Sequence, residues 1–176
     1  MSLVVLPELP LRAITSHLDF TSCLHLSSSS PALQHLQPRH QRVQGEDFSL
    51  SGPSDGDFTP ETYFDVPVET GGLVRVAMAW EWKDQGYGNR KGQVWLQLVR
   101  EGEVVEDSRE LLSATAPHGL RGCLEGREGE VEEHPVVRRA TRGDVLRVAR
   151  SVGGGGGHRL TVKDFVLDIT HKHPWD

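Results

Sequence analysis

Residues 82–90 place Trp82, Asp84, Gln85, Tyr87, Asn89 and Arg90 within one short stretch, spaced by glycines. An aromatic face beside amide, carboxylate and guanidinium groups is a donor and acceptor set suited to the hydroxyl pairs of a sugar or to a peptide backbone. The same groups also suit an ordered turn whose side chains bond their own backbone. Both readings stand on composition. A second unusual stretch, residues 153–157, is five consecutive glycines ending in His158. Glycine loses the most entropy on ordering, so such a run needs a reason. Either a ligand or the 82–90 loop approaches its backbone closely, or the run is a loose tip. It lacks the Lys-Ser/Thr ending of a phosphate-binding loop and does not join a strand to a helix, so no nucleotide site is expected. The two stretches are expected to meet on one surface, with His158 at the rim.

Other chemistry is weaker. Among nine histidines, His118, His134 and His158 fall on separate loops, and His171 and His173 share the tail. No His-x-x-x-His or Cys-x-x-Cys spacing is present. A spatial cluster of His118, His158 and Asp84 is the one metal arrangement worth checking, and no metal or cofactor is expected. Cys23 and Cys123 lie in no recognisable nucleophile context, and Gly-x-Ser-x-Gly is missing. The carboxylates at Glu128, Glu130, Glu132 and Glu133 sit in a glycine-rich excursion and read as a solvated run. No enzyme activity is expected.

The chain has 176 residues, enough for one ordinary domain with a short appended element. A net charge of −6 disfavours nucleic acid, whose partners show a basic face. Two cysteines in unlike contexts argue against a disulfide framework and favour a reducing compartment. No apolar run is long enough to cross a membrane. The N-terminus lacks a basic region and is broken by Pro7 and Pro10, a poor match to a signal peptide. Cytosolic or nuclear residence is expected.

The elements that must position the site are mainly strands. Val74, Val76, Met78, Trp80 and Trp82 share one parity, and Val94, Leu96 and Leu98 share another, so residues 73–100 read as two half-buried strands in a hairpin. Phe48 and Leu50 mark a first strand, and Tyr63 begins another, with Pro67 suggesting a sheet edge. Val104 and Val105 start the next. Leu146, Val148 and Val152 alternate. Leu160 and Val162 lie on one parity and Phe165, Leu167 and Ile169 on the other, which implies a bulge near Lys163 and Asp164, or a strand buried on both sides. Residues 113–134 read as a solvated excursion, and no helical pattern follows residue 40. The expected core comprises Val76, Met78, Trp80, Leu96, Leu98, Leu146, Val148, Val162, Phe165 and Leu167. The fold class is mainly β: an antiparallel jelly-roll β-sandwich, galactose-binding-like, with a short N-terminal helical segment.

Residues 1–37 differ from the rest. Leu11, Ile14 and Leu18 are helically spaced, and Thr21 or Ser22 is a plausible N-cap for a second short helix through Leu24 and Leu26. These pieces hold too few apolar residues to form a core alone. The stretch resembles the F-box, the motif by which substrate receptors dock onto the Skp adaptor of cullin-RING ubiquitin ligases. Leu6, Pro7, Ile14, Leu18, Asp19, Leu24, Leu26 and Leu33 fall on its pattern. Pro10 stands where that family has leucine, and its closing aromatic residue is missing after Leu33. The combination WKDQGYGNRKG, APH and VGGGGGH, across residues 46–169, is also similar to a family of jelly-roll domains that has no assigned activity.

The domains expected are an F-box-like segment at 1–37, a joint with a first strand at 38–60, and a sandwich over 61–176 whose start lies near 46. The F-box resemblance implies a substrate-recognition subunit of an SCF-type ubiquitin ligase. Leu6, Pro7, Ile14, Leu18, Leu24 and Leu26 would then face the adaptor. Trp82, Asp84, Gln85, Tyr87, Asn89, Arg90 and His158 would face a protein or glycoprotein target. The alternative is a stand-alone glycan- or protein-binding module whose N-terminal helices only cap the sandwich.

Overall fold

The computed structural model describes residues 39–52, 60–85, 88–109, 116, 122–123, 135–153 and 157–172. The six adaptor positions, from Leu6 to Leu26, lie outside the described residues, as do Tyr87 and His118. Among the described residues the strands are β1 (His40–Gln44), β2 (Phe48–Ser51), β3 (Glu61–Pro67), β4 (Leu73–Lys83), β5 (Gln93–Arg100), β6 (Glu103–Asp107), β7 (Gly122–Cys123), β8 (Val145–Ser151) and β9 (Arg159–His171), and the helix is α1 (Pro135–Arg139). Every pairing is antiparallel. One sheet runs β1-β9-β4-β7, with β2 also on β9, and the other runs β3-β8-β5-β6. The result is a jelly-roll-like β-sandwich. β3 is indeed an edge strand, consistent with Pro67, which has no N–H for a further neighbour.

Period-two patterning builds the core. Val76, Met78, Trp80 and Trp82 of β4 point inward, against Val94, Leu96 and Leu98 of β5 and Leu146 and Val148 of β8. Every expected core residue is buried. The phase change in β9 is a bulge: Ala79 pairs with Val166 but Glu81 with Lys163, so Asp164 and Phe165 together oppose Trp80. Asp164 takes φ 51° there. The extra residue turns Phe165 inward, where it stacks on Trp80 at 5.5 Å and meets Tyr63 and Phe64 edge-on at 5.4 and 5.6 Å. The outer edge breaks at the same level. Gly45 separates β1 from β2 and donates its N–H to the Phe165 carbonyl, while Asp47 accepts from the Asp164 N–H. A Cβ at Gly45 would lie 2.2 Å from the Tyr63 hydroxyl oxygen, so only glycine admits that ring. Burial pushes the Tyr63 phenol up to about 12, and the hydroxyl donates to the Glu46 carbonyl.

Four expectations change. β4 and β5 do not form a hairpin. They belong to opposite sheets, so the segment between them is an arch across the core. Their alternation showed one buried face each, and those faces look at each other. Val74 is half-exposed because a bulge between Leu73 and Arg75 hands its core position to Leu73. Sandwich structure begins at His40, because β1 pairs with β9 ahead of the first strand expected at Phe48. The region read as solvated contributes Ala116 and the strand β7, and α1 follows it, its Val136 and Val137 buried in the core. Two valines in five residues carry too short a pattern for a helix to be read from sequence.

At α1's end of the sandwich an ion pair is drawn into the fold. Asp144 is 2% exposed and accepts from Arg100 Nε at 2.8 Å and Nη2 at 2.9 Å, and from the Thr141 N–H at 2.8 Å. Arg100's hydrogen bond holds this carboxyl below the usual carboxylate range, against a desolvation that pushes it up, with Thr141 adding in the same sense as Arg100. A carboxyl whose folded pKa is depressed contributes stability that is fully present above its unfolded pKa and is lost as pH falls through the folded one. Urea titrations between about pH 5 and pH 2 should therefore show stability falling, and Asp144→Asn should flatten that fall while lowering stability at neutral pH. An equal acid slope in the variant would assign the loss to other groups.

Candidate functional site

Ser51 at the end of β2 pairs with Arg159 at the start of β9, and Lys83 at the end of β4 with Thr161. Gln93 and Glu61, at the starts of β5 and β3, pair with Ser151 and Arg150 at the end of β8. The β2–β3, β4–β5 and β8–β9 connections therefore share one end of the sandwich. There Gly153, at the start of the glycine run, comes against Lys91, one residue past the 82–90 stretch. A Cβ on Gly153, whose φ is 74°, would lie 2.5 Å from Lys91 Cβ. One on Gly52 would lie 2.5 Å from the Gly153 carbonyl oxygen. The Gly52 N–H donates to the His158 carbonyl at 2.8 Å, and the Ala116 N–H to that of Gly92 at 2.9 Å. At Gly52 and Gly153, therefore, glycine serves close backbone approach between loops.

The individual side chains divide into two groups. Trp82 is 3% exposed and packs edge-on against Trp80 at 5.3 Å, so it is a core residue and offers no stacking platform. Asp84, also 3% exposed, accepts from the backbone N–H groups of Gln85, Lys91 and Gly92 at 2.6, 2.7 and 2.8 Å. Gln85 Nε2 donates to the Asn89 carbonyl at 3.1 Å, and Gly88 supplies a φ of 76°. These residues hold the arch from within. His158 is 8% exposed, inside the loop cluster and not at a rim. Asn89 and Arg90 are exposed, as is Lys91. Among the described residues the arch exposes Asn89, Arg90 and Lys91 on a turn braced by Asp84. Three N–H groups take most of the acceptor positions of the Asp84 carboxylate, and no cluster of metal-ligating side chains occurs among the described residues.

Sequence reasoning missed a second feature beside this end. On the outer face of the five-stranded sheet a depression of about 260 Å³ is lined by Ser49, Glu81, Trp82, Lys83, Arg159, Thr161 and Lys163. Apart from Trp82, which points inward, their outward parity was readable along each strand, but not that three distant strands would lie side by side.

No protein-family model matches the chain, and no curated protein matches it. Among solved structures it is similar to the chain of the infectious bursal disease virus VP2 subviral particle, with TM-score 0.53 and 12% identity over 78% of this chain and 34% of that one. The T=1 particles derived from the same virus give TM-score 0.55 at 12% identity, over 78% of this chain and 32% of theirs. The Gx strain of the virus gives 0.53, again at 12% identity, over 77% of this chain and 32% of that one. The chain spans about a third of the length of these proteins. At such identities the likeness is one of fold, an antiparallel β-sandwich.

Proposed function

We propose that the chain is a non-catalytic recognition subunit working in the cytosol or nucleus, its jelly-roll sandwich of the galactose-binding-like kind presenting a target-binding end. In this reading residues 1–37 dock onto the Skp adaptor of an SCF-type ubiquitin ligase, and Asn89, Arg90 and Lys91, with Tyr87, face a protein or glycoprotein target. The observation that carries it is polarity. Arg39, where the described chain begins, accepts at its carbonyl from the His171 N–H, at the far end of β9 from Arg159 and the loop cluster. Thirteen residues of β9 set the two ends on the order of 40 Å apart. An adaptor held by the leading segment would leave the braced arch free for a target.

The test is co-expression with the Skp adaptor. Wild-type chain is expected to co-purify with it, and Ile14→Asp to lose it while the sandwich keeps its thermal midpoint, because a lone charge in an apolar contact is costly to bury. Wild-type protein that never co-purifies would overturn the ligase reading and leave the stand-alone binding module.

A further inference from the structure

The depression on the outer sheet face gathers cations. Five arginines of the sheets and their turns face carboxylates: Arg42 with Asp168, Arg147 with Asp65, Arg150 with Glu61, Arg139 with Glu106 and Arg100 with Asp144. Here Lys83, Arg159 and Lys163 line one hollow with a single carboxylate, Glu81, in a chain of net charge −6. The register explains how they meet. Ser49 pairs with Thr161 and Thr161 with Lys83, forming one row across β2, β9 and β4. One step along the same face, Lys163 pairs with Glu81, and one step the other way Arg159 pairs with Ser51. Like charges gathered on one sheet face repel, which an anion between them would relieve.

The polar groups are also arranged. Ser49 Oγ lies 3.2 Å from Thr161 Oγ1 and accepts from Arg159 Nε at 2.9 Å. That bond pins the guanidinium at the lip of the hollow. Among the described residues, its terminal nitrogens and the amines of Lys83 and Lys163 take no hydrogen bond or ion pair. Guanidinium and ammonium donors converging from two strands, with two hydroxyls on the floor, match a tetrahedral oxyanion, which offers acceptors in several directions. The volume suits a small substituent and not a polymer.

We propose that this hollow binds the phosphate group of a small phosphomonoester, with Arg159, Lys163 and Lys83 as charge partners and Ser49 and Thr161 as hydroxyl partners. The site does not depend on adaptor docking or on the arch reaching a target. The test follows backbone amide resonances of the full chain during titration with inorganic phosphate and with glucose 6-phosphate, against sodium chloride at matched ionic strength and against glucose. Saturable shifts confined to residues 49, 81–83 and 159–163 are expected with both phosphates and with neither control. Arg159→Gln and Lys163→Gln should each weaken binding about tenfold, and Glu81→Gln should tighten it by removing the one carboxylate. The outer-face positions of Arg159 and Lys163 should leave the thermal midpoint unchanged, so a loss of binding is separable from a loss of fold. Shifts reproduced by chloride, or affinities unmoved in both cation variants, would overturn the proposal. Equal shifts with glucose would overturn it in favour of a neutral sugar site.

Discussion

Phe165→Ala is expected to destabilise the sandwich by about 3–5 kcal/mol, the upper range for truncating a buried aromatic side chain. Phe165 is fully buried and touches three rings from two other strands: Trp80 of β4 face to face, and Tyr63 and Phe64 of β3 edge-on. Removing it loses the transfer free energy of the ring and leaves a cavity whose walls are themselves rigid aromatics, unable to collapse inward. The bulge adds a second cost, since the strained φ at Asp164 is held in place by what Phe165 gains inside. Urea unfolding monitored by tryptophan fluorescence checks this, because Trp80 lies against the deleted ring. Phe165→Leu should recover a large part of the loss. A cost below about 1 kcal/mol would mean that the two sheets do not close at this level.

Asp84→Ala is expected to cost about 3 kcal/mol. One buried carboxylate accepts three backbone N–H groups of the arch, and the Gly92 N–H among them lies in the interior. Bonds to a charged acceptor are the stronger kind, and the buried donor left behind finds no water in its place. Asp84→Asn should do only slightly better, because its NH2 must face N–H donors. Amide exchange reads the effect locally: Lys91 and Gly92 should lose protection ahead of the core strands. If Asp84 instead contacted a ligand directly, the substitution would abolish target binding while leaving both stability and exchange as they were. The three backbone bonds to Asp84 instead predict that stability and loop protection fall together.

The strand pattern was legible, because burial on one face imposes period two on any strand whatever its partner. The parity change in β9 was legible for the same reason: moving from Val162 to Phe165 fits an inserted residue or a strand buried on both sides, and the register with β4 decides for the insertion. The partnership of β4 and β5 was not. Nine residues between two alternating runs suit a hairpin and an arch alike, and what separates them is the pairing of β4 with β9, whose residues lie some ninety positions away along the chain. The short helix α1 escaped because its burial rests on two valines.

For the candidate site, composition identified a stretch that does something unusual but left open what. Polar side chains aimed at a ligand and polar side chains aimed at their own backbone have the same sequence. Trp82 shows the conflict within one residue: its parity assigned it to the core, its neighbours suggested a platform, and the parity prevailed because β4 runs on to Lys83 without a break. What the sequence by itself determined is what near neighbours carry: strands, their buried faces, and the change of parity within β9. What only the tertiary structure decided is everything that depends on distant strands becoming adjacent. That includes the sheet to which each strand belongs, the common end of the loops, and the row from Ser49 through Thr161 to Lys83, whose members share a face only after β9 has inserted between β2 and β4. Alternation records that a side chain points outward, and long-range pairing alone settles what stands beside it.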